Sequence, residues 1–264
     1  MKRTVSAHLE LFLFDTAELI LSLAIAEGAD LEMESFTATA SGTPLEVNEI
    51  AGRHGTRLHT VTGHAGWVNI DYRAQVDGAI PSPAHEDLDL IEYRRPSRYC
   101  ESDTLMPTAT AEFAGLTGKP LLDAIRNWVN RKMSYVPGLS RPTDGAVASL
   151  LAREGVCRDY AHLVIALLRG MDVPARLVSV YAPGLNPMDF HAVVEAWIED
   201  DWHVIDATGM APRQSLMRIA TGQDAAETAF LTQRGGGLDL RLMTVSAIVD
   251  ELPVDDVSRL QRLG

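Results

Sequence analysis

Three side chains in this sequence have the types and the order that nucleophilic acyl chemistry needs: Cys157, His191 and Asp206. Cys157 follows Glu154-Gly155-Val156 and opens a strongly helical run. A thiol attacks as its thiolate, and a helix start favours that form through its partial positive charge. The unpaired backbone N–H groups of the same helix start can receive the oxyanion that forms on an attacked acyl carbon. Gly155 allows a tight approach and is expected to leave room for substrate beside the cysteine. His191 supplies a base that can take the thiol proton and return it to a leaving amine. Asp206 supplies the third group, which orients the imidazole and favours its charged form. Together they describe acyl transfer through a thioester.

The elements around them must bring these groups to one place. The helix opened by Cys157 is expected to stop at Gly170, with Arg169 in its last turn. Its stripe of Ala161, Val164, Ile165 and Leu168 lies below Cys157 and faces the core, which puts Arg158, His162 and Arg169 on the other side. Arg158 then reads as a solvent or substrate-rim residue. Asp159 reads equally as a first-turn helix acid or as a member of the site. Asp172-Val173-Pro174 turns the chain into a strand at 176–181, and a loop leads to a second strand at 191–198. The acidic turn Glu199-Asp200-Asp201 leads to a third strand at 202–206, with Trp197 and Trp202 as packing residues of the hairpin. Spacing leaves open whether His191 and Asp206 share a face of that hairpin, because one bulge reverses the answer. Upstream, Leu121, Ile125, Trp128 and Val129 form a helical stripe, and Val147, Leu150 and Leu151 a second.

Residues 6–76 read differently. Leu9, Leu11 and Leu13 alternate with Glu10, Phe12 and Phe14, and further alternating runs are punctuated by Gly, Asp and Pro. This predicts a β-rich, sandwich-like N-terminal domain over 1–95 and a connector over 96–118. Helices packed on an antiparallel sheet follow over 119–250, with a loosely attached tail over 251–264. The fold class is α+β.

Composition narrows the partners. A net charge of -13 with no offsetting Lys/Arg block excludes nucleic acid. No uncharged run approaches a membrane span, and the N-terminal apolar run is broken by Glu10, Asp15 and Glu18, so a cytoplasmic location is expected. Two cysteines, Cys100 and Cys157, are too few for a disulfide framework. Cys100, beside Glu101, reads as a free structural thiol. His54, His59 and His64 share neither a helix face nor a strand face, and His162 leaves its helix away from Cys157, so no metal site is expected. The chemistry requires no metal or organic cofactor.

Three segments carry a resemblance: Gly155-Val156-Cys157-Arg158-Asp159-Tyr160-Ala161, His191-Ala192-Val193-Val194-Glu195-Ala196-Trp197, and Trp202-His203-Val204-Ile205-Asp206-Ala207-Thr208. Together, over roughly 121–249, they resemble the bacterial transglutaminase-like thiol-enzyme family. The resemblance implies a papain-like core with Cys157 as nucleophile, His191 as general base and acid, and Asp206 as the orienting carboxylate. The chain departs from the family at Val193, where tryptophan is common, and at Ala207, where proline is common. The expected partner is a peptide or protein substrate that reacts at an amide or glutamine side chain. Hydrolysis is preferred because no feature marks a dedicated amine site. The alternatives are amine transfer by a transglutaminase and a non-catalytic binding module that keeps the fold.

Overall fold

The computed structural model describes residues 1–263. The chain begins with β1 (Arg3–Leu13), β2 (Ala17–Leu21), β3 (Leu31–Ala40), β4 (Thr43–Pro44), β5 (Asn48–Ala51), β6 (Arg57–Gly63) and β7 (Gly66–Val76). Alternation along β1 buries Val5, Ala7, Leu9, Leu11 and Leu13, as the period-2 pattern predicts. These side chains meet Leu19, Leu21, Val61, Val68 and Ile70 between two antiparallel sheets.

Helices follow: α1 (Asp87–Glu92), α2 (Ser102–Phe113), α3 (Gly118–Lys132), a two-residue β8 (Ser134–Tyr135) and α4 (Ala146–Ala152). Next come β9 (Glu154–Gly155), α5 (Cys157–Gly170), β10 (Ala175–Tyr181), β11 (Phe190–Ile198), β12 (Asp201–Ile205) and β13 (Met217–Gly222). The last four strands form one antiparallel sheet in the order β12-β11-β10-β13. α5 lies between this sheet and α2, α3 and α4. The predicted α+β class is what the structure contains.

Four expectations need correction. The connector at 96–118 holds helix α2, whose Leu105, Ala109 and Phe113 recur every fourth residue and bury against α5. α6 (Ala225–Thr228), β14 (Leu231–Gly235) and β15 (Leu238–Val249) complete the chain, but the last two strands do not join the helical unit. β14 pairs with β2 and β15 with β1, so the C-terminal part returns to the N-terminal sheets. The tail is docked rather than loose: Gln261 O accepts from Val204 N at 2.7 Å, and Arg213 binds Asp255 and the Asp256 and Arg259 carbonyls. Finally, α5 has no solvent face. His162 and Arg169 are buried with all of 159–169, and Arg169 donates to the Ala175, Arg95 and Gln223 carbonyls. Arg169 is thus satisfied inside, whereas His162 accepts at Nε2 and keeps Nδ1 without a partner.

The two halves share packing. Tyr181, Met217, Ile219 and Ala220 belong to the same core as the sandwich leucines, and the Tyr181 hydroxyl donates to Leu23 O at 2.9 Å. Beneath them, Glu195 accepts from Arg176 Nε at 2.8 Å and from Arg218 Nη2 at 2.6 Å. Burial opposes the Glu195 carboxylate, but the two guanidinium charges overcome it and pull its pKa down to about 2. The Arg176 guanidinium also lies 4.0 Å from the Trp202 ring centroid. Removing the acid takes the paired carboxylate from two buried cations and leaves Arg176 only Asp89, 4.0 Å away. Glu195→Gln is therefore expected to lower unfolding free energy by roughly 3–5 kcal/mol, read as a shifted denaturant midpoint. An unchanged midpoint would show that the cluster is dispensable.

Candidate functional site

The site assembles at the N-terminal end of α5. β8 and β9 run parallel, pairing Tyr135 with Gly155, and this short bridge sets the approach to the helix. Asp159 settles its two readings in favour of the helix start. It is 1% exposed, and its Oδ2 accepts from Val156 N at 2.8 Å. Arg158 donates to the Asp159 carboxylate, to Ser140 Oγ and to Arg141 O, which ties the first turn to the preceding loop. Gly155 corrects another expectation: a Cβ there would stand 2.7 Å from Asp159 Oδ2, so the missing side chain makes room for Asp159 rather than for substrate.

Cys157 is partly exposed, with its Sγ 4.0 Å from Phe190 O at the start of β11. His191 is the next residue, and its side chain is fully buried. Asp206 directly follows β12. The register pairs Val194 with Ile205, which carried one step further sets Asp206 opposite Val193, on the same face as His191. The face left open by spacing is thereby settled: His191 Nε2 meets Asp206 Oδ2 at 2.9 Å. Asp206 Oδ1 accepts from both the N–H and the hydroxyl of Thr208, at 2.8 and 2.6 Å. The next carbonyl, Ala207 O, accepts from Asn130 Nδ2 at 2.8 Å, which pins the loop to α3.

This arrangement leaves His191 Nδ1 without a hydrogen-bond partner. Burial works against the imidazolium, but the Asp206 charge and hydrogen bond, with Cys157 adding to them, raise the His191 pKa to about 10. Asp206 is held below the usual carboxylate range, burial being outweighed by the His191 charge and the Thr208 bonds. Tyr135 is a site residue that the sequence reading missed. It pairs with Gly155 just before Cys157, and burial followed by the charge of Cys157 pushes its phenol up. Its signal was the single residue Tyr135 at a helix end, too little to single out.

Residues 109–207 match the core model of the Transglutaminase-like superfamily, a span that includes Cys157, His191 and Asp206. A crystal structure of a "Putative Cysteine Protease" from Cytophaga hutchinsonii is 30% identical and covers 96% of this chain and 92% of that one, with a TM-score of 0.88. This chain belongs to the transglutaminase-like superfamily. An uncharacterized Mycobacterium leprae protein is 27% identical over 117 residues, and one from Mycobacterium tuberculosis is 31% identical over 140. The chain spans 41% and 45% of the length of those two relatives.

Within this superfamily member the two departures have local explanations. Val193 is buried in an aliphatic cluster with Val178, Val180 and Leu216. Ala207 keeps the carbonyl that Asn130 holds. The other candidates are structural. His162 Nε2 accepts from Ala225 N at 3.2 Å and its ring stacks on Tyr99; His59 stacks on Phe36; His54 bonds the Tyr93 hydroxyl. Among the described residues no group of three potential metal ligands gathers, and no helix is long and apolar enough to cross a membrane.

The His191–Asp206 pair makes a pH prediction. His191, raised from 6.5, contributes its stabilisation fully below 6.5 and loses it as pH climbs through about 10. Asp206, lowered from 3.8, contributes above 3.8 and loses it as pH falls further. The pair is at full strength between those two limits. Asp206→Asn should therefore cost about 3 kcal/mol near pH 5, with the deficit narrowing toward pH 10 in urea titrations. A deficit independent of pH would refute the assigned ion pair.

Proposed function

We propose that the chain is a thiol-dependent acyl-transfer enzyme that hydrolyses amides of peptide or protein substrates through a thioester on Cys157. One observation carries the reading. A buried imidazole is locked by Asp206 on Nε2 and has only Nδ1 left to exchange a proton, at the mouth of the helix that begins with Cys157.

In the proposed reaction the thiol proton already sits on His191 Nδ1, in keeping with its raised pKa, and Sγ attacks the amide carbon as the thiolate. The carbonyl π pair moves onto oxygen, where the Cys157 N–H and the Tyr135 hydroxyl receive it. As the C–N bond breaks, Nδ1–H protonates the leaving nitrogen and the amine departs, leaving the thioester. A water molecule then attacks, giving one proton to His191. The C–S bond breaks as the carbonyl re-forms, the acid leaves, and Cys157 returns as the thiolate beside protonated His191. Replacing water by a primary amine in the second half gives the transglutaminase outcome. Hydrolysis is preferred because no sequence feature marks a dedicated amine site.

Cys157 is expected to react with iodoacetamide at pH 6 at least a hundredfold faster than Cys100. Cys100 is fully buried, and that burial pushes its thiol up to about 12. Cys157→Ala or His191→Ala should lower hydrolysis of a glutamine-containing peptide by about a thousandfold or more. Adding a primary amine should leave free acid as the main product. Equal, slow labelling of the two cysteines would favour the non-catalytic binding module, and amine incorporation would favour the transferase.

A further inference from the structure

A cavity of about 570 Å³ opens beside Cys157 and His191 and runs away from them toward the sandwich. That volume accommodates a residue side chain together with flanking backbone. Its walls are mainly apolar. Leu177 of β10 and Ile219 of β13 line it, as do Phe190 and Phe230, whose rings stack with centroids 5.4 Å apart. Such walls hold a substrate stem by burial, which is non-directional and blind to charge.

Besides Cys157, the charged residues of the lining are Arg158, Asp189 and His191. Two of them bring their own counter-charge. Arg158 meets the Asp159 carboxylate at 3.2 Å, and His191 meets Asp206 at 2.9 Å. Asp189 has none. Its Oδ1 accepts from Phe190 N at 2.7 Å, and among the described residues no ion pair engages the carboxylate. The residue as a whole is exposed, which leaves it open to an incoming group. Its carboxylate is nonetheless part of the site: partial burial raises its pKa above the ordinary carboxylate value, and its charge acts on His191 and on the Tyr135 phenol.

Position along the chain sets which part of a substrate meets this acid. The carbonyl of Phe190, the next residue, lies 4.0 Å from Cys157 Sγ. Consecutive Cα atoms are ~3.8 Å apart, so Asp189 is a near neighbour of the reacting sulfur. An anionic side chain entering here would meet a like charge, and a neutral one would leave the carboxylate unpaired. A long side chain with an aliphatic stem and a cationic tip suits both surfaces: the stem lies on Phe190 and the tip pairs with Asp189. Arg98, whose guanidinium is 4.7 Å from the Tyr99 ring centroid, is exposed and stands outside the lining. We infer that the cavity selects a lysine or arginine residue of the substrate, close to the reacting amide, through Asp189. The inference rests on the amide-acyl reading above.

The test separates selection from catalysis by using the full chain with Cys157→Ala. Binding of acetyl-Ala-Lys-Ala amide and its Arg, norleucine and Glu analogues is measured near neutral pH by calorimetry or ligand-observed NMR. The lysine and arginine peptides are expected to bind roughly fivefold tighter than the norleucine peptide, the upper range for a solvent-accessible ion pair. The glutamate peptide should be the weakest. Adding Asp189→Asn, which keeps an acceptor for Phe190 N, should bring the Lys-to-norleucine ratio toward one without weakening the norleucine peptide. Raising the salt to about 1 M, where the screening length is ~3 Å, should shrink the same ratio in the chain that keeps Asp189. The net charge of -13 attracts any cation over the whole surface, so a preference that survives Asp189→Asn overturns the inference. A ratio of one with Asp189 present, an arginine peptide no tighter than norleucine, a preference for glutamate, or no peptide binding overturns it as well. A cation preference in a chain whose unsubstituted form cleaves none of these peptides, nor longer ones containing them, would instead remove the proposed hydrolysis and leave the selectivity standing.

Discussion

The burial of α5 on every side is the constraint on which the rest of the structure depends. Residues 159–169 are all enclosed between the sheet and the other helices. A helix so enclosed offers solvent only its ends, and its backbone N–H groups are unpaired only in the first turn. The end that opens toward the cavity is the one that begins with Cys157. Packing, dipole and access thus coincide at one residue. Asp159 and the absent Cβ of Gly155 keep that turn wound, because a methyl at 155 would collide with the carboxylate that caps it.

Strand β11 carries two buried ionic clusters on one face, and they differ in completeness. Glu195 is closed by Arg176 and Arg218, so both of its oxygens are occupied. Closed in this way it has no proton to exchange, and its contribution is to fix β10, β11 and β13 against one another. Four residues earlier, His191 is closed on one side only, by Asp206. The unpaired Nδ1 costs stability at a buried position and provides the sole proton-exchange point of the ring. The Glu195 carboxylate is saturated, although Arg176 Nη1 keeps no hydrogen-bond partner, and its cluster anchors the sheet; the His191 pair holds the group proposed to react.

What the sequence disclosed, and what it hid, divides along the reach of each interaction. The period-2 run of β1 and the helical stripe of α5 were legible because local alternation reports the core directly. Cys157, His191 and Asp206 were legible as types in order, while the face shared by the last two needed the Val194–Ile205 register. Helix α2 was hidden by Pro96 and Pro107, which read as punctuation although Leu105, Ala109 and Phe113 keep a helical period. Arg169 and His162 were misplaced because charge argues for solvent, whereas the carbonyls that satisfy Arg169 come from residues 95, 175 and 223. No local pattern announces partners so distant in sequence. The pairing of β15 with β1 is hidden for the same reason, since an alternating strand does not state which neighbour it will meet.

That return of the chain bears on how the site is built. Cys157, His191 and Asp206 all lie within the segment that matches the superfamily core, but the far wall of the cavity does not. Ser22 comes from just after β2, Leu231 from β14 and Met243 from β15, and these strands are joined to one another through the two sandwich sheets. The sandwich also packs on β10 and β13 through Tyr181, Met217 and Ile219, so it supports the sheet that carries His191 as well as forming part of the cavity wall. The reacting groups are held by helix burial and local capping, whereas the walls are held by long-range strand pairing. The α5 start is therefore set by contacts close in sequence, whereas the cavity beside it is completed by strands that arrive from both ends of the chain.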